Sequence, residues 1–200
     1  MNLTKPSLVL RAGRVFCQAT GLDGPGAVAI RGEKILAAEM DGSNGSASRQ
    51  PAQHELEFPD GILLPGLIDF HAHPARGGSR YGIDPDVYML PQGVTTVMSQ
   101  GDAGASNWSV YRDAVARASR TRIKLALHLS MFGEGSPYPS YSRMADLDVD
   151  ACVRVIKQAG DDVWGVAVNT NIRAAGDSDP REILARGLAA AEASDRKSVV

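Results

Sequence analysis

Two histidines one residue apart, His71 and His73, close the run Leu64-Pro65-Gly66-Leu67-Ile68-Asp69-Phe70-His71-Ala72-His73-Pro74. The apolar stretch before them reads as a β-strand. Residues two apart on a strand point to the same face, so both imidazoles can reach one ion from the strand's C-terminal end. Imidazole nitrogen suits zinc and other borderline transition metals. An ion held this way brings the pKa of bound water down toward about 7 and supplies hydroxide at neutral pH. The chemistry this pattern points to is hydrolysis by metal-activated water. A bare His-x-His occurs by chance in many chains. The specificity comes from the run before it and from Gly93-Val94-Thr95-Thr96-Val97 shortly after it.

Other residues have a place in such a site. Asp69 shares the face of His71, where its carboxylate could orient a ligand or make a purely structural hydrogen bond. His128 ends an apolar run and could contact substrate or stabilise an oxyanion; a hydrogen-bonded core histidine is the commoner outcome for such a position. Asn169 and Asn171, after a fourth apolar run, could donate to substrate. Arg76 and Arg80 could pair with an anionic group, although solvated loop charges are more common. The Gly/Pro/Ser/Tyr-rich residues 133–142, with Tyr138 and Tyr141, form a loop long enough to cover a site. His54 reads as a surface residue.

The elements that must carry these residues change character along the chain. Residues 1–61 read as a small β-subdomain, a sandwich or sheet. Gly13 suits a turn within residues 8–16, Gly24-Pro25-Gly26 punctuates, Arg31-Gly32-Glu33-Lys34 makes a hairpin turn, residues 41–53 form an exposed loop, and residues 54–58 form a half-buried strand. From residue 62 to 200, strands alternate with helices, the pattern of a parallel α/β fold. Strands are expected at residues 67–71, 94–98, 123–129 and 163–168, with a fifth beginning at Ser198. Helices are expected at about 106–120, 148–159 and 179–194. Gly160 stops the second, and Asp179-Pro180-Arg181-Glu182 starts the third with a cap, a first-turn proline and a capping-box glutamate.

Composition narrows the function classes. The 200 residues carry a net charge of -2 with no block of Lys or Arg, which argues against nucleic acid as a partner. No apolar stretch is long enough to span a bilayer and no signal peptide is visible at the start, so the default expectation is a cytoplasmic protein with a small-molecule substrate, no membrane partner, and room for a homo-oligomer. Cys17 and Cys152 lie far apart and suggest neither a disulfide framework nor a cysteine-rich zinc site.

The block around His71 and His73 resembles the amidohydrolase superfamily, whose first barrel strand reads P-G-x-I-D-x-H-x-H and whose second follows G-V-T-T. Gly93-Val94-Thr95-Thr96-Val97 and Asp102-Ala103-Gly104-Ala105 look most like its dihydroorotase, D-aminoacylase and deacetylase branch. The resemblance covers essentially the whole chain and is strongest over residues 61–105. It implies the N-terminal part of a (β/α)₈ TIM-type barrel behind a small β-subdomain, with His71 and His73 as ligands to a divalent metal, zinc being the expected ion. It implies hydrolysis of an amide, cyclic amide or N-acyl C–N bond. It also places two further His ligands and a general-base Asp beyond Val200, so that this chain alone is expected to be inactive.

One departure bears on metal number. Many two-metal members carry a carboxylated Lys near the end of strand four, where this chain has Trp164-Gly165-Val166-Ala167-Val168-Asn169-Thr170-Asn171, with Ala167 at the Lys place. D-Aminoacylase-like members use a Cys after strand two; here Ser99-Gln100-Gly101-Asp102 stands there, and Asp102 could supply a carboxylate. One ion is favoured over two. The missing ligand also leaves open a non-catalytic scaffold of the dihydropyrimidinase-like type, against which the intact His71–His73 pair argues.

Overall fold

A computed structural model describes residues 5–43, 49 and 51–199. Most of the expected 41–53 loop, the first four residues and Val200 lie outside the described residues. The chain divides into two compact units, Met1–Pro65 and Gly66–Val200.

In the first unit, β1 (Leu8–Cys17), β2 (Leu22–Arg31), β3 (Lys34–Met40) and β4 (His54–Leu63) form one sheet in the order β3-β2-β1-β4. β2 and β3 join through a two-residue turn with Gly32 at φ 57°, the left-handed conformation such hairpins require. The expected turn at Gly13 and break at Gly24-Pro25-Gly26 are both corrected. β1 runs through Gly13, and its register against β2 slips between Ala12 and Val15, opposite Gly24 and Gly26. Pro25, which has no N–H for a ladder, falls in that irregularity. Gly13 is required because a side chain there would run into the Pro59 carbonyl of β4. The alternation of the strands buries Val9, Ala27 and Ala29 in one small cluster and Ala12, Val15 and Val28 in another.

In the second unit, β5 (Leu67–Ala72), α1 (Pro85–Tyr88), β6 (Val94–Gln100), α2 (Trp108–Tyr111), β7 (Arg122–His128), α3 (Val149–Ala159), β8 (Val163–Ala167), α4 (Ile172–Ala175), α5 (Pro180–Ser194) and β9 (Lys197–Val199) follow in order. The sheet is wholly parallel and its strands lie in chain order, β5-β6-β7-β8-β9. That order belongs to a barrel wall; a doubly wound sheet reverses direction partway. The expected helix at 106–120 is shorter and irregular: α2 passes into a π-turn over Arg112–Ala116, and its inward Trp108 and Tyr111 are buried.

The core lies between the sheet and its helices. Leu125, Leu127, Val163 and Val166 pack against Cys152 and Ile156 of α3 and Ile183, Ala190 and Ala191 of α5. The helix starts follow the sequence. Asp148 caps α3 through the Ala151 N–H at 2.8 Å, and Asp179 caps α5 ahead of Pro180. α1 is tied to β7 by Asp86, whose carboxylate accepts from the Arg120 N–H, the Thr121 N–H and the Thr121 hydroxyl. These bonds outweigh the burial that alone would raise its pKa and hold it below the usual carboxylate value.

Candidate metal centre

The C-terminal ends of β5, β6, β7 and β8 open onto a cavity of about 550 Å³. His71, His73, Gln100, His128, Glu134, Tyr141 and Asn169 line it, with the guanidinium-bearing Arg80 and Arg173 among its other walls. Strand ends converge there because β5 to β8 run in parallel, the geometry that places barrel chemistry at one face.

His71 and His73 stand with ring centres 5.8 Å apart and planes at 77°. Two imidazoles sharing one zinc at about 2.1 Å per nitrogen have ring centres roughly 5–6 Å apart, so the spacing suits a shared ion. The pair is not positioned by strand periodicity alone. The β5–β6 register slips between Asp69 and Ala72, and at that slip Gln100 Nε2 donates to the Phe70 carbonyl at 2.7 Å. Asp69 accepts from the His71 backbone N–H at 2.9 Å. It thus fixes the turn of the chain into His71 and is not among the residues lining the cavity.

Behind His73 sits Asp102, 1% exposed. Its Oδ1 lies 2.9 Å from His73 Nδ1, and its Oδ2 accepts from the Ser99 hydroxyl at 2.7 Å. A carboxylate at Nδ1 places the proton there and leaves Nε2 with its lone pair, the arrangement of a metal-binding histidine backed by an acid. The hydrogen bond with Asp102 raises the His73 pKa against the lowering effect of desolvation. Asp102, considered from sequence as a direct carboxylate ligand, is held in the structure as a partner of His73 and does not line the cavity. Among the described residues no group of three or more His, Cys, Asp or Glu side chains is placed to hold a metal. The two histidines suit one ion as a two-donor grip, and among the described residues no third His, Cys, Asp or Glu completes it.

His128 is 2% exposed. The Ser130 N–H donates to its Nδ1 at 3.0 Å, so the ring proton sits on Nε2. Burial pulls its pKa down to about 3. Tyr141 stacks on the ring, centres 4.6 Å apart at 22°. A side chain at Gly101 would come within 2.7 Å of the ring's Cδ2, and Gly101 takes φ 76° to pass beneath it.

Glu134 escaped the sequence reading. It sits in a short turn of the 133–142 loop, a stretch with no hydrophobic period to mark an inward residue. Its side chain is 14% exposed, and burial raises its pKa. The sequence places Tyr141 in a loop long enough to cover the site. It is instead fully buried, with its hydroxyl bonded to the Ala167 carbonyl at 3.0 Å. Tyr138 bonds Asp146 and stacks under Arg143 outside the cavity lining. Asn169 lines the cavity while its Oδ1 accepts from the Asn171 N–H. Asn171 spends its own Oδ1 capping α4. Arg80 lines the cavity, anchored on the Ser136 carbonyl at 3.0 Å. Arg76 sits 3.7 Å from Asp84, and His54 is exposed.

No protein-family model matches the chain. It is 28% identical over 130 residues to a deacetylase of Agrobacterium fabrum, covering 64% of this chain and 32% of that protein. It is 30% identical over 188 residues to an adenine deaminase of Rhizobium etli, covering 91% of this chain and 30% of that protein. A dihydroorotase crystal structure superposes with TM-score 0.79 at 23% identity, covering 97% of this chain and 50% of that one. The fold is therefore that of the first part of a (β/α)₈ barrel with its accompanying β-unit. The chain spans about a third of the length of these curated relatives. No helix among the described residues is long and apolar enough to cross a membrane.

Proposed function

The chain belongs to the amidohydrolase superfamily, and from that premise we propose that it carries the opening part of a metal-dependent hydrolase acting on a C–N bond of a small molecule, an amide, cyclic amide or N-acyl group. The observation that carries this reading is the 5.8 Å separation of His71 and His73 beside a buried carboxylate on His73. His71 and His73 would hold one divalent ion, zinc by the preference of imidazole. Such an ion activates water for attack on the acyl carbon.

The chain's own residues do the rest. Asp102 fixes the tautomer and direction of His73, and Ser99 holds Asp102 in turn. Asp69 sets the backbone of His71. His128 and Asn169 face the space where substrate would lie. With Ala167 at the end of β8, that strand supplies no bridging group, which favours one ion. The remaining ligands and the general base would come from residues outside this chain. Two free cysteines fit a cytoplasmic home.

Zinc titration by calorimetry tests the centre. The 200-residue chain is expected to take up about one ion, weakly for want of further donors. His71→Ala and His73→Ala should each abolish the saturable uptake. Two tightly held ions would overturn the single-ion reading, and unchanged uptake in both variants would overturn the site.

A further inference from the structure

We propose that Gln100 is a positioning residue for both metal histidines: its side-chain amide holds a one-residue bulge in β5, and that bulge turns His71 and His73 onto the cavity side of the sheet. The inference deepens the centre described above and rests on that reading only for what the two rings then hold.

The first observation is the register. Asp69 pairs with Val97, and Ala72 pairs with Ser99. β5 therefore advances three residues where β6 advances two, and Phe70 and His71 together stand opposite Met98. Two residues against one is the count of a β-bulge. Partners in register point to one face of a sheet. Ala72 and Val97 share a buried cluster with Met89, whereas Gln100 lines the cavity. The face of Val97 and Ser99 is thus the one turned from the cavity. Had pairing continued unbroken from Asp69, His71 would fall opposite Ser99 and His73 at the level of Gly101, both on that far face. The extra residue reverses the alternation after it. Both histidines line the cavity, while Asp69 does not.

The second observation is what holds the bulge. A bulge breaks the ladder and leaves its extra residue unpaired. Gln100 Nε2 donates to the Phe70 carbonyl at 2.7 Å, and Asp69 accepts from the His71 N–H at 2.9 Å. The Asp69 bond stays within β5, and the Gln100 bond ties the bulge to β6. The third observation is a stability penalty. With Nε2 turned to Phe70, Gln100 Oε1 is buried and has no hydrogen-bond partner among the described residues. An unmet buried acceptor destabilises the fold. The amide serves the direction of the histidines against the interest of the core.

Gln100→Met, similar in length but without a donor, tests this in the 200-residue chain. In the metal-free protein, cross-relaxation between the His71 and His73 ring protons should weaken as the bulge relaxes. Zinc affinity by calorimetry should fall about 10- to 100-fold, the range for residues that orient a metal ligand. The melting temperature should stay at or above that of the parent, because the unmet acceptor leaves with the amide. Gln100→Asn, one methylene too short to reach Phe70, should weaken the ring contact and zinc binding as Met does. A lower melting temperature with ring contact and zinc affinity unchanged would make Gln100 a purely structural residue and overturn the proposal. The unaltered chain gives a reading that needs no variant: a coupling through the hydrogen bond from the Gln100 side-chain nitrogen to the Phe70 carbonyl carbon is expected, and its absence would refute the tie. Ring contact and coupling are both read without metal. A failure of zinc uptake in the unaltered chain would sink the metal centre and leave the bulge to be judged by these two.

Discussion

At the scale of single residues, two histidines at the cavity are shifted in opposite directions. His73 is held above its ordinary pKa by its bond to Asp102, and His128 is pushed to about 3 by burial. Their contributions to stability run in opposite directions with pH. An unfolded His128 titrates near 6.5, so below that pH the unfolded chain gains a proton that the folded chain refuses. Stability is expected to fall by about 2 kcal/mol between pH 7 and pH 5 from this residue alone. His73 works the other way: its stabilisation is present below about 6.5 and is lost as pH rises through its raised folded value. Urea unfolding at the two pH values should show His128→Phe, which keeps a ring against Tyr141, removing the acid-side loss; a persisting loss would assign it elsewhere. Asp102→Asn should weaken zinc binding about 10- to 100-fold while leaving the melting temperature near that of the parent. Unchanged zinc affinity would show that the carboxylate does not support His73. His71 and His73 were legible because their chemistry is written at two positions separated by a single residue. The Asp102–His73 contact bridges 29 residues, and Glu134 sits in aperiodic loop sequence. Neither contact leaves a local trace.

At the scale of elements, the alternation of strand and helix was readable wherever apolar period was strong, as in β7, α3 and α5. It misled where backbone contacts overrode propensity. Gly13 and Gly24-Pro25-Gly26 carry the composition of turns, yet they lie inside strands because they meet across a bulge, with Gly13 close against β4 and Gly26 close against β3. The same kind of close approach governs Gly187 in α5, where an added methyl would run into the Val168 side chain. Helix propensity favours Ala over Gly by about 1 kcal/mol, but overpacking a well-filled core costs about 1–3 kcal/mol. Gly187→Ala is therefore expected to lower stability in denaturant titration; a gain would mean that α5 can move off β8 freely.

At the scale of the whole molecule, β5 and β9 each pair on one side only among the described residues. Leu67, Ile68 and Phe70 of β5 are exposed, Phe70 by 69%. An unpaired apolar strand invites pairing with another chain. The 200-residue chain is expected to self-associate as its concentration rises in sedimentation velocity. Phe70→Lys, which places a charge on that edge, should shift the distribution toward monomer; an unchanged distribution would move the contact to another surface. The cavity wall behaves differently from this edge. Tyr141 anchors its loop through the Ala167 and Ala174 backbones, while Tyr138, Arg143 and Asp146 clasp its far side. The ordering of that wall is settled during folding. A visiting molecule meets a finished mould, and its rate of arrival should follow solvent viscosity with no separate conformational clock.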